Sequence, residues 1–530
     1  MKRTTIGSVM RGMCYGFAAL LFAASCANDD VAQDEKQKKD NISAGTTIFT
    51  GTSLPDATTR TAILNHTKGA GASVNWDSTD KIWVKDDGGT WHQSGAVTFP
   101  FATNKAKGMF ALSGTYTGTT HDILYTNKAV GTQPQVEIKA AQTQSAPNNF
   151  DHASGSGDCG IATGNKAGNN YNFTLNHKAS YLCFIPRTSN EYVKRSKLIK
   201  VEIMSDDDIA GTYNIAANGA LTLASGGSKT ITVTTGLGFA IDNSADDMSK
   251  NATYAVVAPG THKFRIRYWL RNTTDNPFSP MIEGTVSKIV TLNCTAGSIH
   301  DITANLDPHD YDGDHYSMWD AQQQYWYGYE WTKHLAAGVG QPTINDGVPG
   351  ATTSSNYAQS NTDSRWYHEG GGTSVRFDAT QGCAGLPNAN EMTWYAAKGE
   401  PRWDADELWT SMGHLYKGGM WFKKKSQISG YNPNTAYDGT DWRTNTNAKS
   451  WTPSRTLPSA ADAGNYFYLP ALGWYGSDRL YTVSYDNKYW SSSAFPLDND
   501  KAYNLNFSNT NVSVGYYPRY VGFRVEPTFE

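Results

Sequence analysis

Phe264-Arg265-Ile266-Arg267-Tyr268-Trp269-Leu270 alternates large apolar or aromatic and cationic side chains. A period of two suits an extended strand, in which successive side chains point to opposite faces. Short β-branched or alternating runs recur at 46–50 and 81–85, and clusters such as Asp86-Asp87-Gly88-Gly89 break them. This is the pattern of antiparallel sandwiches, with one face buried and one in water. A new run opens at Tyr171 and continues to Ile185. The reading is two tandem β-sandwiches, over 46–170 and 171–306.

Tryptophan use changes sharply at Asp307-Pro308. Trp76, Trp83, Trp91 and Trp269 precede it, and the other twelve of the 16 follow. Residues 307–530 therefore read as a third, different domain. Short helices are expected at 317–326 and 386–397, the second with asparagine at its cap. The glycine-, serine- and asparagine-rich stretch 338–374 reads as loop. Short strands are expected at 466–470, 489–491, 503–507 and 521–525. The fold class is mainly β with a C-terminal α+β domain.

Net charge is −4 over 530 residues, with 45 basic and 49 acidic side chains. That near balance argues against a nucleic-acid partner. The one run apolar enough to enter a membrane, 17–24, follows Lys2, Arg3 and Arg11 and is too short to span a bilayer. It reads as a targeting segment. Ala24-Ser25-Cys26 resembles a bacterial lipobox, which makes Cys26 the expected lipidation site, 1–25 a signal peptide and 26–45 a polar linker. A lipid there anchors rather than spans. Asp29-Asp30 resembles the export signal of surface lipoproteins. Beyond Cys14 and Cys26 come Cys159, Cys183, Cys294 and Cys383, with no CxxC pair. No zinc site is read from that spacing. One disulfide and buried free thiols both remain open.

Thr58-Thr59-Arg60-Thr61, Val74-Asn75-Trp76, Asp80-Lys81-Ile82-Trp83-Val84 and Asn176-His177-Lys178 follow one another in order. With the lipobox, they resemble the fimbrillins, lipoprotein pilins of Gram-negative anaerobes with transthyretin-like sandwiches. The resemblance covers about 46–306. It implies that an arginine-specific protease cuts after the first strand, here 46–54, with Arg60 and Thr61 flanking the cut. The emptied groove then receives another subunit's strand. The segment 55–60 is polar and turn-rich, which suits an exposed cleavage loop.

The C-terminal part resembles the C-type-lectin-like fold in 386–392, 473–476, 489–493, 502–507 and 519–525. The relatives include formylglycine-generating enzymes and the variable proteins of diversity-generating retroelements. In 503–507, Tyr503, Leu505 and Phe507 are expected to point inward, and Asn504 and Asn506 outward. Val512 and Val514 are expected inward, Asn511 and Ser513 outward. A loop with Tyr516, Tyr517, Arg519 and Tyr520 follows. By resemblance, Asn504, Asn506, Ser508, Asn511, Ser513, Tyr516, Tyr517 and Tyr520 form a ligand face, since tyrosine with small polar residues makes adaptable recognition surfaces. An ordinary solvated hairpin face is the competing reading.

Other chemistry is thinly supported. Asp310-Tyr311-Asp312-Gly313-Asp314 resembles part of a calcium loop but lacks the closing glutamate and reads as a solvated turn. Glu400-Pro401-Arg402 carries arginine where calcium-dependent lectins carry asparagine. Asp404, Asp406 and Glu407, read as part of a short helix near Trp403 and Trp409, would be the carboxylates of a glycoside-processing enzyme, the third reading. Lys423-Lys424-Lys425 reads as a solvated charge run. No catalytic residue, metal or cofactor is assigned, and the chain is read as a non-enzyme. The leading reading is a fimbrial tip adhesin, at the outer membrane and then at the fimbrium tip. Its partners are other pilins through β-strand addition and an extracellular glycan or protein. The tip position follows from 524–530, which adjoin a core strand and leave no spare strand to donate. The alternative is an anchored surface lipoprotein that captures glycans.

Overall fold

The alternation read in the sequence becomes strand in a mainly-β fold, with 49% strand and 7% helix among the described residues. A computed structural model describes residues 46–52, 62–64, 66–70, 72–102, 104–272, 281–328, 357–476, 479–525 and 529–530. The expected signal peptide, Cys26, the linker, Arg60 and Thr61 lie outside the described residues.

The leading strand, Thr46–Thr52, lies inside the first sheet, between Asn170–Thr174 and Lys107–Ser113. Phe49, Trp76, Ile82, Phe110, Tyr171 and Phe173 form the core against it. Tyr171 and Phe173, expected to open the second sandwich, thus complete the first sheet, because they pair with the leading strand. The second core gathers Leu182, Phe184, Val201, Ile203, Phe264 and Ile266. It also takes Val136, Ile138 and Phe150 from before 171, and Leu408 and Leu415 from beyond 307. Gln133–Ile138 and Ala141–Thr143 reach it by pairing with Ala210–Ile215 and Thr230–Ala240.

The strand Gly260–Asn272 does not keep its expected cationic face in water. Arg265 and Arg267 are buried, at 2% and 7% exposure. The strand Arg402–Ser411 meets Glu283–Cys294 at Thr285 and Glu407, extends one sheet across both regions, and brings the Asp404 side chain to Arg267 at 3.0 Å. Arg265 lies over the Trp421 ring at 5.7 Å.

The helix Ala389–Lys398 forms as read, with Asn388 and Glu391 closing a capping box. It packs Ala389, Met392 and Tyr395 with Leu505, Phe507 and Val512 of the last hairpin. The helix expected at 317–326 is absent. Tyr316–Ser317 pairs instead with Phe523–Arg524, and turns follow. Asp320 stands at φ 56°, incompatible with a helix. Its buried carboxylate accepts the backbone N–H groups of Thr380, Gln381 and Cys383, drawing the chain away from helix geometry. Asp404, Asp406 and Glu407 likewise sit on the strand Arg402–Ser411, not on a helix, at a register shift between Asp404 and Leu408. Cys159, Cys183, Cys294 and Cys383 are free and buried.

Candidate functional site

The leading strand is held by aromatic packing. Phe49 is fully buried, stacked on Tyr171 at 4.7 Å and edge-on to Tyr116 at 5.2 Å. Gly51 lets the backbone lie flush. A Cβ there would fall 2.6 Å from the Phe173 ring and 2.9 Å from Trp76. The pairing with Asn170–Thr174 is parallel, with Phe49 opposite Tyr171 and Thr52 opposite Thr174. An interior strand of this kind offers backbone and side-chain pockets on both sides. Its departure would expose unpaired N–H and C=O groups along an apolar groove.

The last hairpin, Lys501–Ser508 and Val512–Pro518, carries the expected ligand residues, and the structure divides them. Tyr503, Leu505, Phe507, Val512 and Val514 point into the core as read. Asn506 and Ser513 are paired and half-buried, with Ser508 and Asn511 nearby at the tip. Asn504 is buried, however, beside the fully buried Trp490 opposite it. The sheet is covered on both faces at that level, by an aromatic cluster that includes Trp319, Trp490 and Phe523.

Tyr516 and Tyr517 cannot share a face, because neighbours on a strand point oppositely. Tyr516 stacks on Phe495 at 3.8 Å, and Tyr517 packs edge-on to Trp474 at 5.7 Å. Tyr520 is 44% exposed. Arg519, read as part of the recognition loop, is fully buried. It donates to the carbonyls of Lys501, His368 and Gly370 at 2.8–3.0 Å and lies over Trp319 at 4.3 Å. Its work is to tie the loop to the domain.

Sequence reasoning passed over a neighbouring cavity of about 440 Å³, lined by Gln322, Asn361, Asp363, Trp366, His368 and Glu369 among others. The signal was Trp366-Tyr367-His368-Glu369, an aromatic and polar cluster inside a stretch read only as loop. Half-exposed Trp366 supplies an apolar face, and the amides and carboxylates supply hydrogen-bonding groups. This is the composition of a polar-ligand pocket with an aromatic wall.

The acidic strand does different work. Asp404 is buried and meets Arg267 Nη2 at 3.0 Å, and it accepts the N–H groups of Asp406 and Glu407. Glu407 accepts from Thr285 Oγ1, Ser287 N–H and Ser287 Oγ at 2.6–3.1 Å. Burial pushes the Glu407 carboxyl up to about 7, the Asp404 charge adds to the shift, and the Ser287 bonds oppose it. Both carboxylates are thus engaged by residues of 267–287, and they join the C-terminal region to the second core.

The acidic segment 310–314, read as a solvated turn, sends its carboxylates to different partners. Asp310 accepts from Thr410 Oγ1 at 2.6 Å, whereas Asp312 pairs with His315 at 3.1 Å. Lys423 and Lys424 pair with Glu400 and Glu530.

No family model matches the chain, and no curated protein matches it. Solved structures similar to it include a "putative cell adhesion protein" of Bacteroides ovatus. It is 12% identical, covers 49% of this chain and 91% of its own, and has a TM-score of 0.30. Another protein of that description, from Bacteroides uniformis, is 15% identical over 47% of this chain and 100% of its own, at TM-score 0.27. The fimbrial anchor protein Mfa2 of Porphyromonas gingivalis is 10% identical over 47% and 99%, at TM-score 0.20. Likeness at this level carries no argument about function, which rests on the chain's own geometry.

Proposed function

We propose that this chain is a cell-surface fimbrial adhesin, assembled by exchange of its leading strand and binding a ligand through its C-terminal domain. The observation that carries the reading is the place of Thr46–Thr52. This strand fills the interior of its sheet and buries Phe49 completely. Proteolysis at Arg60 would detach it and leave a groove lined by Trp76, Phe110, Tyr171 and Phe173. An incoming strand of alternating character would restore both the ladder and the packing.

The C-terminal domain, read as lectin-like, supports the tip position. Phe529 is buried against Tyr395, Phe467 and Tyr489 in the core of that domain. The ligand would meet Tyr516 and Tyr520, at the end of the hairpin away from its tip, where Arg519 ties the chain to the His368 carbonyl at the Trp366 cavity. Lipidation at Cys26 would hold the precursor at the outer membrane until processing. The second reading, a permanently anchored glycan-capturing lipoprotein, draws its support from the same polar, aromatic-walled cavity.

The test is the amino terminus of protein recovered from its native cell surface. A start at Thr61, with filaments lost in Arg60→Ala cells, is the expected result. Acylated Cys26 with no shorter form would sink the strand-exchange reading and leave the anchored binder.

A further inference from the structure

The three-stranded sheet Thr253–Val257, Ser180–Arg187 and Ile299–Asn305 sets three polar side chains in one row. Tyr254 pairs with Cys183, and Cys183 with Asp301, so all three stand on the same face. His66 reaches this face from the short segment 66–70 and packs edge-on to Tyr254 at 5.8 Å. His66 and Cys183 are buried, at 3% and 0% exposure.

The hydrogens do not balance. The Tyr254 hydroxyl donates to Asn148 Oδ1 at 2.5 Å, so it has none left for His66. His66 Nδ1, 3.1 Å from that hydroxyl, must be the donor there. A neutral imidazole protonated on Nδ1 turns the Nε2 lone pair outward. Nε2 faces Asp301 Oδ1 at 3.5 Å. That oxygen is buried and receives no hydrogen bond, whereas Gly69 N–H holds Oδ2 at 2.7 Å. Two acceptors thus converge beside one thiol, whose single hydrogen can serve only one of them.

We propose that His66 Nε2, Cys183 Sγ and Asp301 Oδ1 form a binding site for one thiophilic divalent cation, zinc by its ligand chemistry. The three atoms lie within 4.8 Å of one another. They would need to draw together by about 1 Å to reach zinc–ligand distances, leaving the fourth tetrahedral position to water. A nitrogen, sulfur and carboxylate set suits zinc over calcium or magnesium. Tyr254 on Nδ1 and Gly69 on Oδ2 are the outer partners that orient metal ligands. Positions 66, 183 and 301 form no spacing motif, which is why the cysteine pattern alone did not reveal them. The cation would pin 66–70, six residues past the proposed cut, to the second core, alongside the ion pair of Lys68 with Asp246 at 2.5 Å. The proposal does not depend on the fimbrial reading.

Titration of the metal-free full chain with Zn²⁺ by calorimetry and with Co²⁺ by absorbance tests the site. The expected results are one equivalent bound and a sulfur-to-cobalt charge-transfer band. His66→Gln and Asp301→Asn should abolish both, and Tyr254→Phe should weaken binding by about 10–100-fold. Cys294→Ser, which alters a thiol outside the cluster, should bind as the unaltered chain does. Binding that survives His66→Gln, or cobalt uptake without the sulfur band, overturns the site. If Asp301→Asn fails to fold by circular dichroism, the unaltered chain and His66→Gln decide the matter.

Discussion

A carboxyl lifted to about 7 by burial holds its proton more tightly folded than unfolded. For Glu407 the sign follows directly. Its contribution is most favourable below the ordinary value of 4.5 and is lost as pH rises through about 7. Thermal stability should therefore decline by about 2–3 kcal/mol across that window. Glu407→Gln, which cannot titrate, should flatten the decline, as melting temperature against pH for the two proteins would record. Arg267 makes the complementary case. Removing it strands the buried Asp404 charge, and Arg267→Met should cost about 3–5 kcal/mol in denaturant unfolding. The double change Arg267→Met with Asp404→Leu should recover most of that loss, because it removes both desolvated charges.

At the scale of elements, the leading strand acts as a removable part. Phe49→Ala should destabilise the unprocessed chain by about 3–5 kcal/mol, since a buried aromatic ring leaves a cavity. The same change should have no effect on protein that begins at Thr61, and calorimetry on the two forms distinguishes them. A peptide of residues 46–54 should raise the melting temperature of the processed form. In the hairpin, burial sorts residues that alternation alone had grouped. Asn504→Ala should lower stability, whereas Tyr520→Ala should leave it within about 0.5 kcal/mol. On a glycan array the Tyr520 variant should lose signal.

Across the whole molecule, the second core and the C-terminal region share one sheet and one buried charge cluster. Leu408 and Leu415, from the far side of the expected junction at 306, lie within that core. The two should unfold in a single transition by calorimetry, and Arg267→Met should split it. Two transitions in the unaltered chain would contradict this coupling.

Local pattern alone determined that the chain is mainly β, where its strong strands lie, and that Asn388 starts a helix. These follow from a period of two and from a cap, both set by neighbours in sequence. Only tertiary packing decided the rest. Arg265 and Arg267 read as a solvated face because nothing near them in sequence announces the distant Asp404 and Trp421 side chains that meet them. Asp320 abandons its expected helix for backbone donors 60 residues away. The hairpin's outward positions were legible, yet whether Asn504 met water depended on Trp490, Trp319 and Phe523 closing over it. His66, Cys183 and Asp301 converge only when two strands and a distant segment meet. Side-chain direction is local, but what covers a side chain is set by which distant residues bury their own apolar surface against it.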